Sequence, residues 1–231
     1  MERKWEPIAH RVIPHIETLP KEISKMSIEY TAARTALLIV DPYNDFMSEG
    51  GKLYGAIKPT ADESGMFDNL RKLIPAARQI GLQIFVLPHH RSHAGDFDGW
   101  QHMTPFQQAG VPLQAFAVGS WGGEFNSEFG PQKGDIVVHE HWAQSGFANT
   151  DLDQQLKQHD IQRVILVGVI ANSCIESTGR FAMELGYHVT LVRDAAAAFS
   201  PEGMHAAFNI NGPTYAHAIL TTAELLERLP V

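Results

Sequence analysis

The chain has one cysteine, Cys174, in 231 residues. That excludes an internal disulfide, and with it a small secreted fold held together by bridges. Positive charge is also scarce: 18 lysines and arginines stand against 26 acidic residues, a formal net charge of -8. This balance argues against nucleic acid or an anionic membrane surface as a partner. No apolar run approaches the roughly 18 residues of a membrane-spanning helix. The first stretch, MERKWEPIAHRVIPHIETLP, carries charges and prolines where a signal peptide needs an apolar core. Internal repeats and low-complexity tracts are missing as well. These exclusions point to a cytoplasmic protein. A 44% hydrophobic content over this length is enough for one substantial core.

Within that core, short continuous apolar runs alternate with helical patterns. The runs are TALLIV (35–40), LQIFVL (82–87), DIVVH (135–139), RVILVGV (163–169), HVTLVR (188–193) and HAIL (217–220). Continuous runs suit strands buried on both faces, as in a parallel sheet. Between them, residues 62–80 carry Met66, Leu70, Leu73, Ile74 and Ala77 on one face, with Pro75 predicted to kink the helix. Asn149 or Thr150 can cap a helix through TDLDQQLKQH, and Asn172 or Ser173 one that Gly186 stops. Ser200 and Pro201 open another, and TTAELLERL forms the last. Alternation of this kind predicts an α/β fold: a three-layer αβα doubly wound sheet of about six mostly parallel strands in the order 3-2-1-4-5-6. Residues 1–30 fit no strand and read as an N-terminal arm; 31–231 form the domain. Residues 91–134 lack periodicity, and a loop of that length is usually a lid or pocket wall.

In such a sheet, ligands bind where the strand order reverses, at the carboxyl ends of the strands. Asp41 ends the first strand. Cys174 follows the fourth by five residues, at the start of the next helix. The predicted order makes these strands neighbours, so Asp41 and Cys174 meet across the crevice. A lone free cysteine is more often packing than chemistry, but this placement favours a nucleophile. A helix N-terminus lowers a thiol pKa and can hold an oxyanion. A neighbouring carboxylate raises the thiol pKa yet can act as its general base.

Three segments carry a further signal. LLIVDPYNDF, GDIVVHEHWAQSGFANTDLDQQL and VILVGVIANSCIESTGRFAMELGYHVTLVRDAAAAFS occur in the order of the motifs of the isochorismatase-like cysteine hydrolases, and the chain resembles that family from about Thr35 to its C-terminus. The resemblance implies an Asp–Lys–Cys triad whose outer members fall on Asp41 and Cys174. It implies a cis peptide at Val169–Ile170 and an oxyanion site at the N–H groups of Ile170 and Cys174. It also implies a homo-oligomer. The lysine is missing. Counting back from SGF puts His141 in its place; counting forward from GD puts Glu140 there. The longer SGFANTDLD match favours His141.

LPHHRSHAGDFDGWQH gathers His89, His90, His93 and His102 with Asp96 and Asp98. Metal-binding members of the family use an Asp-x-His pair here, and this chain lacks it. No metal and no cofactor is therefore expected. His89 and His90 read as groups that bind a polar substrate. Tyr43, Phe46, Trp121 and Trp142 are expected around a planar or ring-containing one. The implied activity is hydrolysis of a C–N bond in a small amide, ureido or carbamoyl compound through a covalent thioester. The alternatives are a vinyl-ether hydrolase of the isochorismatase type and an inactive binding protein.

Overall fold

The computed structural model describes residues 30–230. The expected arm over residues 1–30 lies, apart from Tyr30, outside the described residues. Tyr30 is buried, its hydroxyl 2.9 Å from that of Thr190.

Six strands form one sheet: β1 (Thr35–Val40), β2 (Gln83–Leu87), β3 (Ile136–Val137), β4 (Arg163–Val169), β5 (His188–Ala197) and β6 (Ala218–Leu220). Their order is β3-β2-β1-β4-β5-β6 and every neighbouring pair is parallel, as the continuous apolar runs predict. All of β1 and nearly all of β4 is buried. The helices are α1 (Asn44–Met47), α2 (Tyr54–Ser64), α3 (Met66–Gln79), α4 (Pro105–Gly110), α5 (Leu152–Gln158), α6 (Glu176–Glu184), α7 (Pro201–His205) and α8 (Thr222–Leu226). The chain crosses from β1 to β2 in one direction and from β4 to β5 in the other. Right-handed crossovers then put α2–α3 and α6 on opposite faces.

Local chemistry explains most boundaries. Ser200 caps α7 by accepting from the Gly203 N–H, and Thr221 and Glu224 form a capping box on α8. Where the reading of residues 62–80 had one kinked helix, there are two. Gly65, at φ 70°, ends α2 and begins α3. α3 then runs unbroken through Pro75, which faces solvent, so water can serve the carbonyl that the proline leaves free. α6 has no side-chain cap; a wide turn over Ala171–Ile175 leads into it, closed by Ile175 N–H to Ile170 O at 3.1 Å. β3 is shorter than its apolar run, but the chain stays alongside β2 beyond it. Val138 N–H donates to Val86 O at 3.1 Å and His141 N–H to Pro88 O at 3.0 Å.

Gly168, near the end of β4, adopts φ 109°, and a Cβ there would strike the Val40 carbonyl oxygen of β1. Gly168→Ala is expected to destabilise the fold by roughly 2–4 kcal/mol, from positive φ and overpacking together. Chemical denaturation would check this.

Candidate active site

β1 ends at Asp41, whose N–H donates to Leu87 O at 2.9 Å, fixing the turn against β2. Asp41 sits at φ 54°, in the left-handed region that non-glycine residues seldom occupy outside functional turns. Its side chain is fully buried. The extension beyond β3 brings His141 beside His89, and His90 N–H donates to His141 O at 2.8 Å. On the other side of β1, β4 leads through a cis Val169–Ile170 peptide into the turn that carries Cys174. The topology thus delivers three segments to one point.

There, His141 Nε2 donates to Asp41 Oδ1 at 3.0 Å. One donor atom each from Asp41, His141 and Cys174 lies within 4.8 Å of the others. Asp41 Oδ2 is buried and has no hydrogen-bond partner. The thiol faces the Ala143 carbonyl and the Ser173 hydroxyl, each at 4.0 Å. Among the described residues this is the only set of three such side chains close enough to converge on a metal ion. The histidines of residues 89–102 do not form one. His90 instead pairs with Asp96 at 2.7 Å and Glu140 at 3.3 Å.

Burial raises the Cys174 thiol well above its ordinary pKa, and the charge of Asp41 adds to this. The lowering expected from a helix N-terminus is overturned, for two reasons. The thiol is buried, and α6 begins at Glu176, after it. Burial pulls His141 down, but the Asp41 charge and hydrogen bond outweigh it, so its pKa is raised overall. His89 is lowered, chiefly by burial.

His141 and Glu140 point opposite ways, as successive residues of an extended chain must. His141 faces Asp41. Glu140 faces Arg91, accepting from its Nε at 2.6 Å and from its N–H at 2.9 Å. Glu140 therefore has no contact with Asp41 here, and of the two candidates only His141 reaches it.

A cavity of about 740 Å³ opens over Asp41, Ile170 and Cys174. Phe46, His89, His90 and Trp142 line it, the last two rings stacked at 3.6 Å. Tyr43 and Trp121 do not. Tyr43 is packed between Phe116 and Phe125, 5.1 Å from each, and donates to His89 O at 2.8 Å. Trp121 projects to solvent, its carbonyl accepting from Asn44 Nδ2 at 2.9 Å. The aperiodic stretch does form a wall: α4 and the segment through Val118 line the cavity. Phe106, Phe116 and Phe199 also line it, and the sequence reading missed them. Phe199 follows β5, so the strand-end rule could have found it. Asp45 was missed too; buried beside Gly122, it accepts from Phe116 N–H at 2.7 Å and Lys52 N–H at 2.9 Å, bracing the wall.

Comparisons with known proteins agree with this fold. The family model for the isochorismatase domain matches residues 35–224. A ureidoacrylate amidohydrolase of Rhizobium rhizogenes is 29% identical over 202 residues, covering 80% of this chain and 78% of the relative. One from Yersinia enterocolitica is 30% identical over 185 residues, covering 76% and 80%. Among solved structures, a cysteine hydrolase from Pseudomonas syringae pv. phaseolicola superposes with a TM-score of 0.70 at 28% identity, covering 87% of this chain and 94% of that one. N-carbamoylsarcosine amidase from Thermoplasma acidophilum gives 0.60 at 27% identity, covering 83% and 98%.

Proposed function

Since the chain belongs to the isochorismatase family, we propose that it is a cysteine-dependent amidohydrolase acting on a C–N bond of a small amide, ureido or carbamoyl compound. The observation that carries this reading is Asp41, a buried carboxylate whose Oδ2 has no partner, within 4.8 Å of the only thiol of the chain at the cavity floor. Relatives that act on ureidoacrylate and N-carbamoylsarcosine support the bond type.

The raised thiol pKa defines the role of Asp41. Cys174 rests as the thiol, so a base must remove its proton during attack. Asp41 takes that proton as the sulfur bonds to the carbonyl carbon. The resulting oxyanion is held by the N–H groups of Ile170 and Cys174. The C–N bond breaks, the proton passes from Asp41 to the leaving nitrogen, and ammonia or an amine departs. Water, deprotonated by Asp41, then attacks the thioester, and the acid leaves as the thiol is restored. His141, donating to Oδ1, leaves Oδ2 free to take the proton. A vinyl-ether hydrolase would have no use for the thiol.

Ammonia release from a panel of amides and ureido compounds, with pyruvate release from isochorismate as control, tests the reading. Turnover of an amide or urea supports it; turnover of isochorismate alone overturns it.

His141 gives a pH prediction. Its folded-state pKa is raised, so the buried pair with Asp41 stabilises most fully below about pH 6.5, the unfolded value. That contribution is lost as pH rises through the folded value. Activity that uses the protonated imidazole should show an alkaline limb there, and His141→Lys should move the limb to higher pH. A kcat/KM profile of both proteins checks it; an unmoved limb would separate His141 from the titration.

A further inference from the structure

Resting on the amidohydrolase reading, we infer that the substrate is a neutral molecule with an aromatic or branched apolar body, not a carboxylate-bearing ureido compound. The first ground is charge. Among the described residues, no lysine or arginine lines the cavity. Two carboxylates do, Asp41 at the floor and Asp98 near the mouth. The cationic side chains nearby are already engaged: Lys52 donates to Gln114 O at 2.7 Å, and Arg91 is held by Glu140. The histidines do not make up the difference. Burial disfavours the charged form of His89, and His90 lies between the carboxylates of Asp96 and Glu140. His93 is at the exposed rim. A substrate carboxylate inside would be desolvated with no cation to meet it.

The second ground is independent of charge. Five large apolar side chains that remain exposed line this one cavity: Phe106, Leu113, Val118, Trp142 and Phe199. Phe106 is 61% exposed and 6.4 Å from the Phe199 ring, which lies 6.4 Å from Phe46. Apolar surface left uncovered around a concave site is surface that a ligand can remove from water. About 740 Å³ also exceeds what a ureido acid of a few atoms would fill. The reacting group then sits at Asp41 and Cys174, and the apolar body lies among the phenylalanines.

The test uses a matched pair, benzylurea and para-(ureidomethyl)benzoate, which differ by one carboxylate. Calorimetric binding to Cys174→Ala protein, which keeps the cavity and cannot turn over, is expected to favour benzylurea by roughly tenfold or more. In a Phe106→Arg, Cys174→Ala double variant the gap should close or reverse, because a cation now meets the carboxylate. Equal or tighter binding of the benzoate to the single variant overturns the inference, as does failure of both compounds to bind. Turnover by the wild-type protein is scored separately. Tight binding of benzylurea without hydrolysis of any amide or urea would sink the amidohydrolase reading and leave the specificity inference standing.

Discussion

Cys174→Ala is expected to lower amide turnover by roughly four orders of magnitude or more while the protein stays folded. In the proposed mechanism the sulfur forms the bond to the carbonyl carbon, so no neighbour can replace it. Ser173 is adjacent, but its hydroxyl is 4.0 Å from the sulfur and has no base of its own within hydrogen-bonding distance. The stability cost should be about 1 kcal/mol, since one buried sulfur atom is removed from a site that opens on a cavity. Thermal unfolding and steady-state kinetics on the same preparation separate the two effects. Activity within tenfold of wild type would mean that the sulfur is only packing.

Asp41→Asn should lower turnover by roughly 10²–10⁴-fold, the range for removing a positioned general base. A second observable distinguishes this from simple damage. Burial is the main cause of the raised thiol pKa, and the Asp41 charge adds to it. Removing that charge therefore lowers the thiol pKa, so the variant holds more thiolate at a given pH. Thiolate absorbance should rise at the pH where activity falls. A variant that lost activity with no change in thiolate titration would place Asp41 away from the sulfur. One with more thiolate and unchanged activity would mean that no base is needed.

The sheet was legible because β1 and β4 are so fully buried that their apolar runs end where the strands end. The meeting of Asp41 and Cys174 then follows from connectivity, since β1 and β4 are adjacent in the order the alternation predicts. Residue counting left Glu140 and His141 open. What separates them is the two-residue period of the extended chain beyond β3, which turns one toward Arg91 and the other toward Asp41. Tyr43 and Trp121 were expected in the pocket because they flank the motifs, but nearness along the chain does not say which face a side chain takes. Tyr43 went into an aromatic stack and Trp121 out to solvent. The cavity wall was the least legible part. The length of the aperiodic stretch 91–134 marks it as a wall, but Phe46, Phe106, Phe116 and Phe199 come from three separate segments, and no local pattern links them.

The most direct measurement is rapid-quench mass spectrometry of the wild-type protein mixed with a slowly hydrolysed amide such as phenylacetamide. If Cys174 attacks with Asp41 as its base, a phenylacetyl group appears on the Cys174 peptide, one per chain, in step with a burst of ammonia. Hydrolysis with no adduct on that peptide at any quench time, or an adduct on another residue, would contradict the thioester and with it the role assigned to Cys174.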